Sequence, residues 1–154
     1  MFRKSFTVGL FMSSIVIAGC QTMQDDLSSS ITTANKIQLE NRTWIATQIG
    51  NQPISTQATD RQIPSLQFNS STHQVSGSDG CNRVMGSYEA KADKLNLSAM
   101  AATRMACLGD PQLNQAFHEA LQHVTHYQVF NKTLKLLDRH GNLMIQFESA
   151  VQPR

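Results

Sequence analysis

The chain has 154 residues, 40% of them hydrophobic, with 13 Lys and Arg against 11 Asp and Glu. That length and apolar share suit one globular domain and exclude a disordered or fibrous chain. Once Arg3 and Lys4 are set aside as part of a leader, the remaining basic residues equal the acidic ones in number, and no basic run is left to attract nucleic acid or anionic lipid.

Behind Arg3 and Lys4 an apolar stretch runs from Phe6 to Ala18. It is shorter than the ~20 residues that a mature spanning helix needs and has the length of a signal-peptide core. The ending Ile17-Ala18-Gly19-Cys20 resembles a bacterial lipobox, with Ile where Leu is commoner. The resemblance implies that residues 1–19 are removed and that Cys20 becomes an acylated first residue. Its palmitate-like chains would hold the protein to a membrane, each buried methylene contributing about 0.8 kcal/mol. Gln21 rather than Asp follows Cys20, which favours the outer membrane and a domain facing the periplasm.

Residues 20–38 are rich in Ser, Thr, Gln and Asn and read as a flexible tether with a reach of roughly 20–25 Å. The folded domain is expected over residues 39–148, with a short tail at 149–154. Short apolar runs follow the tether: Thr43 to Ile49, Ser65 to Phe68, Gln74 to Ser76, Val84 to Ala90, Lys94 to Leu97, Thr125 to Phe130, Thr133 to Leu137 and Leu143 to Phe147. Pairs such as Leu66 and Phe68, Leu95 and Leu97, or Leu134 and Leu136 alternate, which puts each pair on one face of a strand. Asn131-Lys132 and Gly141-Asn142 fall between strands and predict a C-terminal meander. The sequons at Asn41, Asn69 and Asn131 are read as polar loop and strand-end residues.

One amphipathic helix is predicted over about 111–124. Asp110 suits the cap, Pro111 the first helical position, and Leu113, Ala116, Phe117, Ala120, Leu121 and Val124 recur on one face, with Phe117 and Leu121 expected deepest. The polar face includes His118. The fold class is therefore mainly β, or β-rich α+β: a small antiparallel sheet with one helix against it. With Cys20 committed to lipid, Cys81 and Cys107 form an even pair in an oxidising compartment and are expected to form a disulfide.

The run from Val75 to Tyr88, with Gly77, Gly80, Cys81, Asn82, Arg83, Gly86 and Tyr88, is followed by Thr103, Met105 and Cys107 and then by the helix. This order resembles the META domain of the HslJ-like lipoproteins, whose pattern is roughly G-x-x-G-C-N-x-x-x-G-x-Y and then T-x-M-A-C. The resemblance spans about residues 39–148. It implies a cracked or open antiparallel barrel similar to certain secretin pilot lipoproteins, in envelope proteins linked to heat shock and novobiocin resistance and without established enzymatic activity. The glycines fit turns or close approaches, Asn82 fits local backbone hydrogen bonding, and Arg83 has the chemistry to hold a carboxylate or phosphate.

Ser76-Gly77-Ser78-Asp79-Gly80 lacks the first Gly of a nucleophile elbow, and Asp79-Gly80 reads as a turn. His118, His123 and His126 lie near one another in sequence but at spacings that form no zinc motif. No catalytic residue, metal or cofactor is expected. The expected function is that of a monomeric, non-enzymatic outer-membrane lipoprotein acting in envelope stress tolerance, with no nucleic-acid partner. Its envelope partner is not identified by the sequence. Two other readings stand beside it: a carrier of an apolar ligand or a pilot-like chaperone, and an inhibitor of a periplasmic protease acting through the loop from Gly50 to Ile63.

Overall fold

The computed structural model describes residues 35–55, 62–106 and 110–150. The leader, Cys20, most of the expected tether, Cys107 and the end of the tail lie outside them. Residues 35–39 are helical, and nine strands follow: β1 (Thr43–Ile49), β2 (Gln52–Pro53), β3 (Ser65–Asn69), β4 (Gln74–Ser78), β5 (Arg83–Lys91), β6 (Lys94–Ala102), β7 (His126–Phe130), β8 (Thr133–Leu137) and β9 (Leu143–Ser149). The helix α1 (Pro111–His123) enters between β6 and β7.

Period-two alternation decides which face of each strand is covered. Trp44 and Ala46 on β1, Leu66 and Phe68 on β3, Val84 and Tyr88 on β5, Leu134 and Leu136 on β8, and Ile145 and Phe147 on β9 are all buried. Every pairing is antiparallel, and the sheet closes into a ring because β1 pairs with β9 as well as with β3. One edge of β1 pairs with β9 from Trp44 to Ile49, and the other edge is divided: Thr43 to Ile45 pair with β3, and Gln48 and Ile49 pair with the short β2.

The ring is weakest between β6 and β7, where Lys94 and His126 are the registered pair. Backbone bonds from Leu95 N to Thr125 O (2.9 Å) and from Tyr127 N to Asp93 O (2.8 Å) support that junction. The mainly β class and the ringed antiparallel arrangement match the expectation.

Two differences have local causes. β6 runs five residues past Leu97, to Ala102, through Ser, Ala and Met residues that carry no alternation to read. It also contains a bulge, since Met85 pairs with Ala101 but Ser87 with Ser98, and Ala99 takes φ 52°. Gly86 faces that bulge, where a Cβ would run into Met100 Sδ and come within 2.9 Å of Ser98 O. β2 is too short to announce itself in sequence.

The helix forms as its capping residues dictate. Asp110 accepts a bond from Gln112 N at 2.8 Å, and Pro111 sits where its missing N–H is not required. Phe117, Ala120 and Leu121 are buried, and Phe117 meets Phe147 of β9 edge to face at 6.4 Å. The three sequon asparagines serve turns. Asn69 Oδ1 accepts from Ser71 N and Thr72 N, Asn41 bonds Ser70, and Asn131 takes φ 55° between β7 and β8.

Phe117→Ala is expected to lower unfolding stability by about 3–5 kcal/mol. The exposed control Gln115→Ala should stay within about 0.5 kcal/mol. Urea unfolding of both variants measures the difference.

Candidate functional site

The residues of the two sequence motifs meet around the turn between β4 and β5. Its centre is Asp79, which is 1% exposed. Asp79 Oδ1 accepts from Cys81 N (2.9 Å) and Asn82 N (2.6 Å), the bonding expected of an Asp that folds the chain back over its own next residues. Asp79 Oδ2 accepts from the Asn82 side-chain amide (3.2 Å) and lies 2.8 Å from His118 Nε2 on α1. An ionised carboxylate can only accept, so His118 Nε2 carries the hydrogen. Asn114, one turn earlier on α1, places its amide 3.5 Å from Oδ1.

Burial by itself would raise the Asp79 pKa. Hydrogen bonds from Asn82 N–H, His118, Cys81 N–H and the Asn82 amide outweigh it and hold the carboxyl below the ordinary carboxylate range.

The second motif is fastened to the first through backbone groups. Met105 N donates to Asn82 Oδ1 at 2.8 Å, Arg83 N donates to Thr103 Oγ1 at 3.0 Å, and Thr103 N donates to Arg83 O at 3.0 Å. Cys81 is disulfide-bonded, while Cys107 lies outside the described residues. Gly80 takes φ +98°, and a Cβ there would sit 2.6 Å from Gln62 O. A Cβ on Gly77 would collide with Ser65 O of β3, so only glycine lets β3 and β4 approach at this point.

Tyr88, the last residue of the first motif, works elsewhere. Its hydroxyl donates to Glu40 Oε1 at 2.7 Å, and Glu40 is itself buried, with Lys36 Nζ 3.8 Å away. Burial, and then the hydrogen bond and charge of Glu40, push the Tyr88 pKa well above its ordinary value. Trp44 Nε1 donates to Leu39 O at 2.8 Å, so the segment before β1 is held from two sides.

On β5, Arg83 and Met85 turn outward, away from the buried Val84. Both are exposed, beside a groove of ≈ 620 Å³ on the outer face of β4, β5 and β6.

Glu40, Asn114 and the pairing of His118 with Asp79 were not legible in the sequence. The available signal was the spacing of Asp79 from Cys81 and Asn82, which fits an Asp-centred turn but does not announce that the carboxylate is buried. Among the described residues no group of three or more His, Cys, Asp or Glu side chains is placed to hold a metal ion.

A family model described as the META domain matches residues 37–151. No curated protein matches the chain. An NMR structure of a protein from Burkholderia xenovorans is 26% identical with a TM-score of 0.60, over 79% of this chain and 89% of that one. A second NMR structure is 23% identical with a TM-score of 0.56, over 73% and 92% of the two chains. A crystal structure of a DUF4847 family protein from Bacteroides vulgatus is 18% identical with a TM-score of 0.53, over 75% and 96%. These last two likenesses are of fold alone.

Asp79→Asn is expected to lower stability at neutral pH by about 1.5–3 kcal/mol, the range for hydrogen bonds to a charged group. Because the folded carboxyl titrates below the unfolded one, its contribution is present above about pH 4 and is lost as pH falls through the lower folded value. The acid limb of the stability profile should therefore be shallower in Asp79→Asn, as thermal melts between pH 2 and pH 7, roughly spanning the carboxylate range, would record.

Proposed function

We propose that this chain, which belongs to the META domain family, is a non-enzymatic bacterial lipoprotein that acts in envelope stress tolerance through contacts made by its outer surface. Cys20 is its anchor in the outer membrane, the domain faces the periplasm, and it works as a monomer. The observation that carries this reading is how the motif residues are used. Asp79, Asn82, Thr103 and Tyr88 hold strands, turn and helix together through partners within the domain. The Asp79–His118 pair superficially has the composition of a catalytic dyad, but its carboxylate is enclosed by the turn and reaches no outside substrate.

Contact at the surface is also favoured over carriage of an apolar ligand. Trp44, Phe68, Phe117, Tyr127 and Phe147 occupy the inside of the ring with their side chains fully withdrawn from solvent. The inhibitor reading draws less support, since Gln52 and Pro53 of the loop after β1 are paired with β1 as the short strand β2.

A strain lacking the gene is expected to lose tolerance to heat and novobiocin and to regain it with the wild-type gene. The wild-type protein should fractionate with the outer membrane, and Cys20→Ala, which has no thiol to acylate, should be missing from that fraction. Unchanged tolerance in the deletion strain would remove the stress role, and a soluble wild-type protein would remove the anchor.

A further inference from the structure

We propose that the groove on the outer face of β4, β5 and β6 binds the free C-terminus of an extended peptide, with Arg83 taking its terminal carboxylate. This deepens the surface-contact reading and rests on it. The groove, ≈ 620 Å³ in volume, is lined by residues that include Gln74, Ser76, Arg83, Met85, Ser87 and Ala101. Strand register puts Ser76, Met85 and Ala101 in one row and Gln74, Ser87 and Ser98 in another, about 7 Å further along the strands.

Charge complementarity selects an anionic occupant. Arg83 is exposed, and its guanidinium has no ion-pair partner among the described residues. Its backbone is clamped by two hydrogen bonds to Thr103 and lies two residues from the disulfide-bonded Cys81, so the side chain projects from a fixed base. A guanidinium grips a carboxylate with two parallel N–H donors, a geometry that lysine cannot offer.

Arg83 stands at one end of the groove, where β4 and β5 pass into their turn, a position that suits a chain end. The groove's lining stops at Arg83, and none of residues 78–82 contributes to it. An anionic group bound there lies at the limit of the groove, as a terminal carboxylate would, while the rest of the peptide extends over the two rows. Met85 is 49% exposed, and its flexible thioether suits an apolar side chain of varied shape. Gln74, Ser76 and Ser87 supply hydrogen-bonding groups for a peptide backbone, and Ala101 leaves room for that backbone to come close.

The test uses the acylated chain in nanodiscs of uncharged lipid and a fluorescein-labelled peptide ending in Val-Ser-Val-Phe. The peptide is prepared once with a free C-terminal carboxylate and once as the C-terminal amide. Fluorescence anisotropy should show saturable binding of the acid form and binding about tenfold or more weaker for the amide, the scale of losing a charged hydrogen-bonded pair. Arg83→Gln should bring the acid form down to the amide's level, and Arg83→Lys should fall between, with both variants keeping the wild-type melting temperature.

Equal binding of acid and amide, or an Arg83→Gln variant that binds like wild type, would overturn the proposal. So would the absence of saturable binding up to about 1 mM peptide, the weak limit of a useful contact. Vesicles of phosphatidylglycerol that bind the chain through Arg83 while the peptide does not would assign the anion to lipid, and would also overturn it. These outcomes are read on purified protein and are separate from the tolerance of the deletion strain, so either reading can fail without the other.

Discussion

Asp79 is withdrawn from solvent, and an ionised carboxylate is tolerated there only where hydrogen-bond donors replace the water it has lost. Two backbone amides of its own turn, the Asn82 side chain and His118 supply them, with Asn114 at longer range. Each donor belongs to a segment that must therefore be in place at once: the turn that carries Cys81, the strand end that Asn82 joins to Met105, and the helix. Removing any one leaves a buried charge under-satisfied, which costs more than the bond itself contributes. The helix is thus held from its polar side by Asn114 and His118 and from its apolar side by the contact of Phe117 with Phe147.

Glu40 presents the same difficulty ahead of β1 and meets a related solution. The Tyr88 hydroxyl reaches it across the ring, and Lys36 approaches from the helical turn. Tyr88 also stands edge to face with Phe68 at 5.1 Å, so one side chain joins the segment before β1 to the core. β1 then carries the ring closed by pairing with β9, whereas β6 and β7 touch at one registered pair. The polar groups Asp79, Asn82, Glu40 and Tyr88 are in this way occupied with holding the domain. Arg83 and Met85 of β5 face outward beside the groove, on the opposite side of the sheet from the core.

Elements governed by local rules were legible in the residues. Asp110 and Pro111 with the spacing of Phe117, Ala120 and Leu121 marked the helix, and alternation marked β3, the start of β6 and β8. Legibility failed where local signals are weak or absent. Ser98 to Ala102 carry small side chains with no alternation, and their strand is formed by pairing with β5 across the bulge facing Gly86. Residues 35–38, expected within the tether, are helical and run into Leu39, the expected start of the domain, which is fully buried.

What the sequence by itself determined was the class of the fold, the place of the helix and the residues on which the family pattern stands. Each depends on neighbours a few positions apart, because strand and helix periods repeat over that range. Only the tertiary structure decided that Asp79 is a buried charge answered by His118, 39 residues away, and that Tyr88 answers Glu40 across 48. Such pairs are chosen by how the ring closes and where the helix lies against it, and a polar residue looks the same in sequence whether it ends in water or in the core.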